Sequence, residues 1–206
     1  DATRAPYSAD PTGGVSSQTA ITNAIAAAAA AGGDVFIPPG TYLYTGLSIP
    51  QGVNIYFGPG AELFNTGAGG SFVFTQPNDG PPSIIEGGRF HASAANTATV
   101  VTNNADARAV FRRCAFNGYA AGGGYFTNLQ GKIALVNSAD SQLAFEDCDL
   151  IVAGSLIGLH CANGKIRMLR GSMVMPATFG TALGYVDAGE LYFDETYLMN
   201  GECGMG

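Results

Sequence analysis

Four acidic side chains in the last third of the chain are the ones whose roles the surrounding pattern explains least. They are Asp149, Asp187, Glu190 and Asp194. Two carboxylates about 5–5.5 Å apart can cleave a glycosidic bond with retention, and a pair about 6.5–9.5 Å apart can do so with inversion. We therefore treat these four residues as candidate catalytic residues, with a purely structural role as the alternative.

The sequence predicts no metal site and no cofactor. Histidine, aspartate and glutamate show no ligand spacing for a transition metal, and the four cysteines form no C-x-x-C pair. Because a lone histidine is more often structural than catalytic, His91 and His160 are expected to be structural or surface residues.

An internal repeat of the form apolar–x–x–small–x–apolar must position these residues. Its five copies, separated by 26, 34, 23 and 25 residues, begin at Ile85, Phe111, Phe145, Met168 and Phe193. A step of about 23–27 residues without a helical pattern fits one coil of a parallel β-solenoid with about three short strands. The sequence therefore predicts an all-β fold, a single-stranded parallel β-helix of about six coils over residues 34–206.

Equivalent residues of such coils stack in columns about 4.8 Å apart, and the columns are chemically consistent. The third repeat position holds Gly87, Arg113, Asp147, Arg170 and Glu195, so that each arginine has a carboxylate one coil away. Opposite charges in register stabilise a sheet by a few tenths of a kcal/mol up to about 1 kcal/mol. We therefore expect most repeat carboxylates to be structural.

The fourth repeat position is always small, and it holds Cys114 and Cys148 in consecutive copies. We expect two stacked, reduced thiols there, with a disulfide as the alternative. Cys203 is expected to be free or intermolecular.

A short helix precedes the repeat region. Ser16, Ser17 and Thr19 offer N-cap oxygens, residues 20–31 are rich in alanine, and Gly32 follows as a left-handed stop. Its thin apolar stripe suits a helix lying across a hydrophobic end. We divide the single structural domain into an N-terminal segment with its helix, residues 1–33, and the β-helix, residues 34–206.

The first third of the chain resembles the pectate-lyase-like superfamily, in the branch that includes phage tailspikes. The likeness covers residues 7–64: a Tyr-Ser-Ala-Asp-Pro-Thr-Gly-Gly stretch over 7–14, the alanine-rich helix, and the Gly-Gly-Asp-Val-Phe-Ile-Pro-Pro-Gly-Thr-Tyr stretch over 32–42. The resemblance implies a right-handed parallel β-helix whose N-terminal end is closed by the helix. It also implies a link to polysaccharides, although the fold does not fix the function.

One coil carries an insertion, because the second repeat step is about nine residues longer than the others. The inserted segment lies within residues 118–128 and is rich in glycine. Its aromatic residues Tyr119, Tyr125 and Phe126 are candidate binding residues, for a glycan or for a neighbouring subunit. The alternative is a tolerated surface insertion.

Composition excludes several classes of function. The net charge is −7 with only nine basic residues, which argues against nucleic acid and against an anionic membrane surface. No apolar run is suited to membrane insertion.

The function expected is that of a phage virion appendage, such as a tailspike, fibre or capsid decoration, that attaches to a surface glycan. Expected partners are two further copies in a homotrimer, other virion proteins and a surface polysaccharide, in a virion or extracellular location. The alternatives are a secreted or virion-borne polysaccharide lyase or glycoside hydrolase, and a cell-surface adhesin module.

Overall fold

A computed structural model of the chain describes residues 1–67, 72–74, 80–91, 100–102, 106–117, 132–151, 157–175 and 182–200. The predicted Tyr119, Tyr125, Phe126 and Cys203 lie outside these ranges. The described elements follow one another in this order: β1 Thr12–Ser16, α1 Gln18–Ala31, β2 Asp34–Ile37, β3 Gly40–Tyr44, β4 Leu47–Ser48, β5 Asn54–Phe57, β6 Ala61–Asn65, β7 Phe72–Phe74, β8 Ser83–Glu86, β9 Arg89–His91, β10 Val100–Thr102, β11 Arg108–Arg112, β12 Ala115–Asn117, β13 Lys132–Ile151, β14 Ile157–Met175, β15 Ala182–Val186 and β16 Glu190–Asn200.

The strands pair in parallel and wind into a β-helix with three faces. Face 1 consists of β2, β5, β8, β11 and the segments 142–146, 165–169 and 190–194. Face 2 consists of β1, β3, β6, β9, β12 and the segments 149–151, 171–175 and 196–200. Face 3 consists of β4, β7, β10, the segments 134–136 and 157–161, and β15. The long strands β13, β14 and β16 bend round the corners between faces, and the predicted all-β parallel β-helix is confirmed.

The interior is built from the apolar columns that the repeat predicts. Ile85, Phe111, Phe145, Met168 and Phe193 pair in register on successive coils of face 1. The first four side chains are fully buried, and the rings of Phe111 and Phe145 stack 5.4 Å apart. Phe193 is 37% exposed, because its coil is the last that the structure describes.

The column of small residues at the fourth repeat position contains reduced cysteines, as expected. Cys114 and Cys148 are both buried and free. Burial raises the pKa of the Cys114 thiol, and the neighbouring Cys148 raises it further. These thiols therefore pack as small apolar groups.

The helix α1 closes the N-terminal end through one apolar stripe. Ile21, Ala24, Ile25 and Ala28 are buried, and the helix contacts β2 and β4. It begins at Gln18, two residues before the predicted alanine-rich run. It ends at Ala31, and Gly32 follows as the C-cap with a left-handed φ of 64°. Within the part of the chain that the structure describes, no helix has the length and apolar character needed to cross a membrane.

At the helix start, the predicted cap residue Ser16 accepts a hydrogen bond at its Oγ from the backbone N–H of Gln18 at 3.3 Å. Ser17 occupies the N-cap without a capping hydrogen bond from its side chain. Its Oγ instead accepts a hydrogen bond from the backbone N–H of Asp10 at 3.0 Å. The hydroxyl is therefore used to attach the N-terminal segment to the start of the helix.

Candidate functional site

An open groove runs along the corner between faces 1 and 2. We call it the turn groove; it has a volume of about 650 Å³ and crosses four successive coils. Its charged lining consists of Glu62, Glu86, Arg89, Arg113, Asp147 and Asp149. The groove is therefore a polar surface that extends along the axis of the β-helix.

A column of left-handed residues makes the corner sharp. Gly87, Arg113, Asp147, Arg170 and Glu195 have φ values between 46° and 75° on successive coils. In each of these coils, four residues lie between the inward-facing side chains on the two faces, as between Phe111 and Phe116. One left-handed residue turns the chain in four of these coils, whereas Gly87 and Gly88 are both left-handed in the first.

The preceding coil has a longer corner, and this difference forms one wall of the groove. Ile55 pairs with Ile85 and Leu63 pairs with Phe90, so that this coil has three more residues at the corner. Residues 58–60 belong to this longer corner and line the groove. The short corners form its floor.

The carboxylates at the N-terminal end of the groove are paired with arginines. Glu62 Oε1 accepts a hydrogen bond from Arg89 Nη1 at 3.0 Å, and His91 Nε2 lies 3.7 Å from Glu62 Oε2. Glu86 forms an ion pair with Arg113 of the next coil. Both acidic groups are therefore held in defined positions.

The carboxylates at the other end are held in the same way. Asp147 Oδ1 accepts a hydrogen bond from Arg170 Nε at 2.9 Å, and this bond lowers the pKa of the Asp147 carboxyl. Asp149 Oδ1 accepts a hydrogen bond from Ser172 Oγ at 2.6 Å. Asp149 is the one predicted catalytic residue that lines the groove.

The spacing of Glu62 and Asp149 differs from that of a glycosidase pair. Glu62, Arg89, Ala115 and Asp149 occupy successive layers in register on face 2. Three layers separate the backbones of Glu62 and Asp149 by about 14 Å. This backbone separation exceeds the range of about 5–9.5 Å used between carboxylates for retention or inversion.

The structure distributes the other predicted catalytic residues elsewhere. Glu190 and Asp194 lie on face 1, where Glu190 pairs with Lys165 at 2.9 Å and Asp194 pairs with Arg167 at 3.0 Å. Asp187 lies in the turn before β16. The four acidic residues therefore do not meet on one face, and their catalytic role stays a prediction.

Asp187 has a partner that the sequence pattern did not suggest. His160 Nε2 lies 2.8 Å from Asp187 Oδ2, and the imidazole ring packs edge-on against Tyr185 at 5.1 Å. His160 is 9% exposed. The pair fixes the orientation of a largely buried ring, which agrees with the structural role expected of this histidine.

The repeat pattern does not assign Glu62 or Arg89 to a site, because Glu62 lies before the first copy and Arg89 lies inside that copy without a recognised partner. A signal was present: 27 residues separate the two, which is one coil step.

Among the described residues, no group of three or more His, Cys, Asp and Glu side chains could hold a metal ion.

Comparison with known proteins gives a distant structural match. No family model matches the chain, and no curated protein matches it. A solved structure described as a "putative glycosyl hydrolase" from Parabacteroides merdae ATCC 43184 is similar, with a TM-score of 0.46 and 11% sequence identity. The match covers 93% of this chain and 92% of that one, and at this similarity it does not bear on the chemistry.

Proposed function

We propose that this chain binds a surface glycan along the turn groove without cleaving it, as part of a virion or extracellular attachment protein. The observation that carries the proposal is the row of polar side chains across four coils. Hydrogen-bonding groups recur there at the strand spacing of about 4.8 Å. An extended sugar chain presents hydroxyl groups along its length and can use such a row.

The charge of the groove narrows the class of glycan. Its lining contains four carboxylates and two arginines, and the whole chain carries a net charge of −7. A polyanion would be repelled by this lining, whereas a neutral or amino-sugar polysaccharide would not. We therefore assign the groove to a neutral or amino-sugar glycan.

Binding without cleavage is favoured by the state of the groove carboxylates. Each is already held by a partner: Glu62 by Arg89, Glu86 by Arg113, Asp147 by Arg170 and Asp149 by Ser172. Carboxylates held in this way are oriented to accept hydrogen bonds from sugar hydroxyls. To protonate a leaving group, one of them would have to leave its present partner.

The virion setting rests on the resemblance of residues 7–64 alone. Association of copies has separate support from the last described coil, where Tyr197, Leu198 and Met199 are exposed. Among the described strands, β15 and β16 pair only with β14, whereas α1 closes the opposite end. We propose that further copies of this chain cover the exposed end in a homotrimer.

The experiment that tests glycan binding blocks the groove without breaking an ion pair. Ala115 faces outward between Arg89 and Asp149, so that Ala115→Tyr places a ring in the groove. Binding to a panel of immobilised neutral and amino-sugar bacterial polysaccharides is measured for the wild type and the variant. We expect the variant to lose at least about tenfold in affinity.

The matched control is Ala144→Tyr, the same substitution at an outward position on face 1. We expect it to leave this binding unchanged. An absence of binding across the panel, or equal loss from both variants, would overturn the proposal.

A further inference from the structure

Face 1 carries a second concave site, away from the turn groove. We call it the basic hollow; its volume is about 410 Å³ and its lining comes from β11, β13, β14 and β16. Arg108, Gln142 and Lys165 stack in register along one side. Ala144, between Val110 and Arg167 in the neighbouring row, leaves the space that makes the site concave.

The charge of the basic hollow is opposite to that of the chain. Arg108, Lys165 and Arg167 line it, and they are three of only nine basic residues in a chain of net charge −7. Among the described residues that line it, none is acidic. Three of the four basic residues on the described strands of face 1 therefore line this site, and the fourth is Arg112.

Two of the three cations are oriented from outside the hollow. Lys165 Nζ lies 2.9 Å from Glu190 Oε2, and Arg167 Nη2 donates to Asp194 Oδ2 at 3.0 Å. Neither carboxylate lines the hollow. The hydrogen bond to Glu190 and its charge raise the pKa of Lys165, so that the ammonium group remains charged. Lys165 and Arg167 each retain further N–H donors for a ligand.

The rest of the lining suits a sugar ring better than a bare ion. Val110 and Ala144 provide an apolar floor, and Tyr192 pairs in register with Arg167 at one edge. The Tyr192 hydroxyl donates to Glu190 Oε2 at 2.6 Å, which fixes the aromatic side chain. An aromatic face packs against the apolar face of a sugar, while the basic groups bind its acidic substituent.

We infer that the basic hollow binds an acidic sugar, with Arg108, Lys165 and Arg167 around its carboxylate or sulfate group. The site lies on a different face from the turn groove and does not depend on it.

The test compares three probes by calorimetry at low salt. They are a glucuronate-bearing tetrasaccharide, the same saccharide with its carboxyl group reduced to an alcohol, and sodium sulfate. We expect the acidic saccharide to bind at least about fivefold more tightly than the reduced one. Its affinity should fall as salt is added. Equal binding of the two saccharides would overturn the inference. Sulfate binding as tight as that of the acidic saccharide would show an anion site with no sugar preference and would also overturn it.

Variants of the ion pairs separate a binding role from a structural one. Lys165→Gln and Arg167→Gln should each lower the affinity for the acidic saccharide by at least about threefold. Glu190→Gln and Asp194→Asn break the same two pairs but remove competing carboxylates, so they should leave binding unchanged or tighten it. If all four variants weaken binding alike, the pairs act only structurally and the inference fails.

Two blocking variants distinguish this site from the turn groove. Ala144→Tyr should abolish binding of the acidic saccharide, and Ala115→Tyr should leave it intact. The opposite pattern is expected for the polysaccharide bound in the groove. Failure at one site therefore does not count as failure at the other. Arg4→Gln, a charge removed from an exposed side chain of the N-terminal segment, is the control for net charge.

Discussion

Arg170 Nε lies 2.9 Å from Asp147 Oδ1, and both residues occupy the same left-handed corner position on consecutive coils, with φ values of 46° and 54°. The corner geometry turns these side chains outward in one column. Basic and acidic residues therefore alternate at this position from one coil to the next. The backbone strain of a left-handed residue with a side chain costs roughly 1–2 kcal/mol. The ion pairs offset only part of this cost, because they are about half exposed.

The strain predicts an unusual order of stability at Arg113, whose φ is 50°. Arg113→Gly and Arg113→Ala both remove the ion pair with Glu86, and they differ only in the Cβ atom. We expect the glycine variant to be more stable by about 1 kcal/mol in its free energy of unfolding, measured in urea. At the neighbouring Arg112, a regular strand residue, the alanine variant should be the more stable one. The same order of stability at both positions would contradict the claim that the backbone at Arg113 is strained.

The small column predicts that Gly171 tolerates no side chain. A Cβ atom built there would overlap the carbonyl oxygen of Cys148 on the coil below. Gly171→Ala should therefore lower the free energy of unfolding by about 1–3 kcal/mol. Gly33→Ala is the control, since a Cβ atom there would meet nothing within 4 Å. A Gly171→Ala protein as stable as the control would show that this column is loosely packed.

The N-terminal segment predicts a dependence of stability on acidic pH. The hydroxyl of Thr12 and the backbone N–H groups of Thr12, Gly14 and Val15 donate to the Asp10 carboxylate and lower its pKa to about 2. Because the folded value lies below the usual 3.8, this stabilisation is fully present above pH 3.8 and is lost as the pH falls through about 2.

The variant Asp10→Asn tests this sign. Its deficit in the free energy of unfolding should be largest near pH 6 and should shrink towards pH 2, in chemical denaturation at each pH. A deficit that is constant over this range would mean that the charge of Asp10 is unimportant.

Much of the fold can be predicted from the sequence because a β-helix repeats its register. The pairing of Phe111 with Phe145, and of Cys148 with Gly171, follows directly from the spacing of the repeat copies. The copies that precede Ile85 were not recognisable, since the longer corner at residues 58–60 breaks the spacing. That same irregularity forms a wall of the groove, so the groove could not be predicted.

Side-chain partners at the edges of the repeat also could not be predicted from the sequence. His160 and Asp187 lie 27 residues apart, but one belongs to a strand and the other to a turn whose path the repeat does not define. Glu190 and Asp194 had no assigned partner, although Lys165 and Arg167 lie on the coil below. Extending the columns three positions upstream of each copy would have aligned Arg108, Gln142, Lys165 and Glu190.

The proposed association of copies predicts a trimer in solution. Light scattering at two protein concentrations should give three times the mass of one chain. Tyr197→Ser and Met199→Ser alter exposed side chains of the last described coil and should lower that mass without unfolding the protein. A monomer at both concentrations would contradict the trimer and would favour a secreted enzyme.

The central claim is that the turn groove holds a glycan and does not cleave it. The most direct measurement follows the molar mass of the tightest-binding polysaccharide of the panel by light scattering during prolonged incubation with the protein. We predict stable binding with an unchanged polymer mass, and the same result with Asp149→Asn. A falling polymer mass that Asp149→Asn prevents would contradict the account and would establish Asp149 as part of a cleavage site.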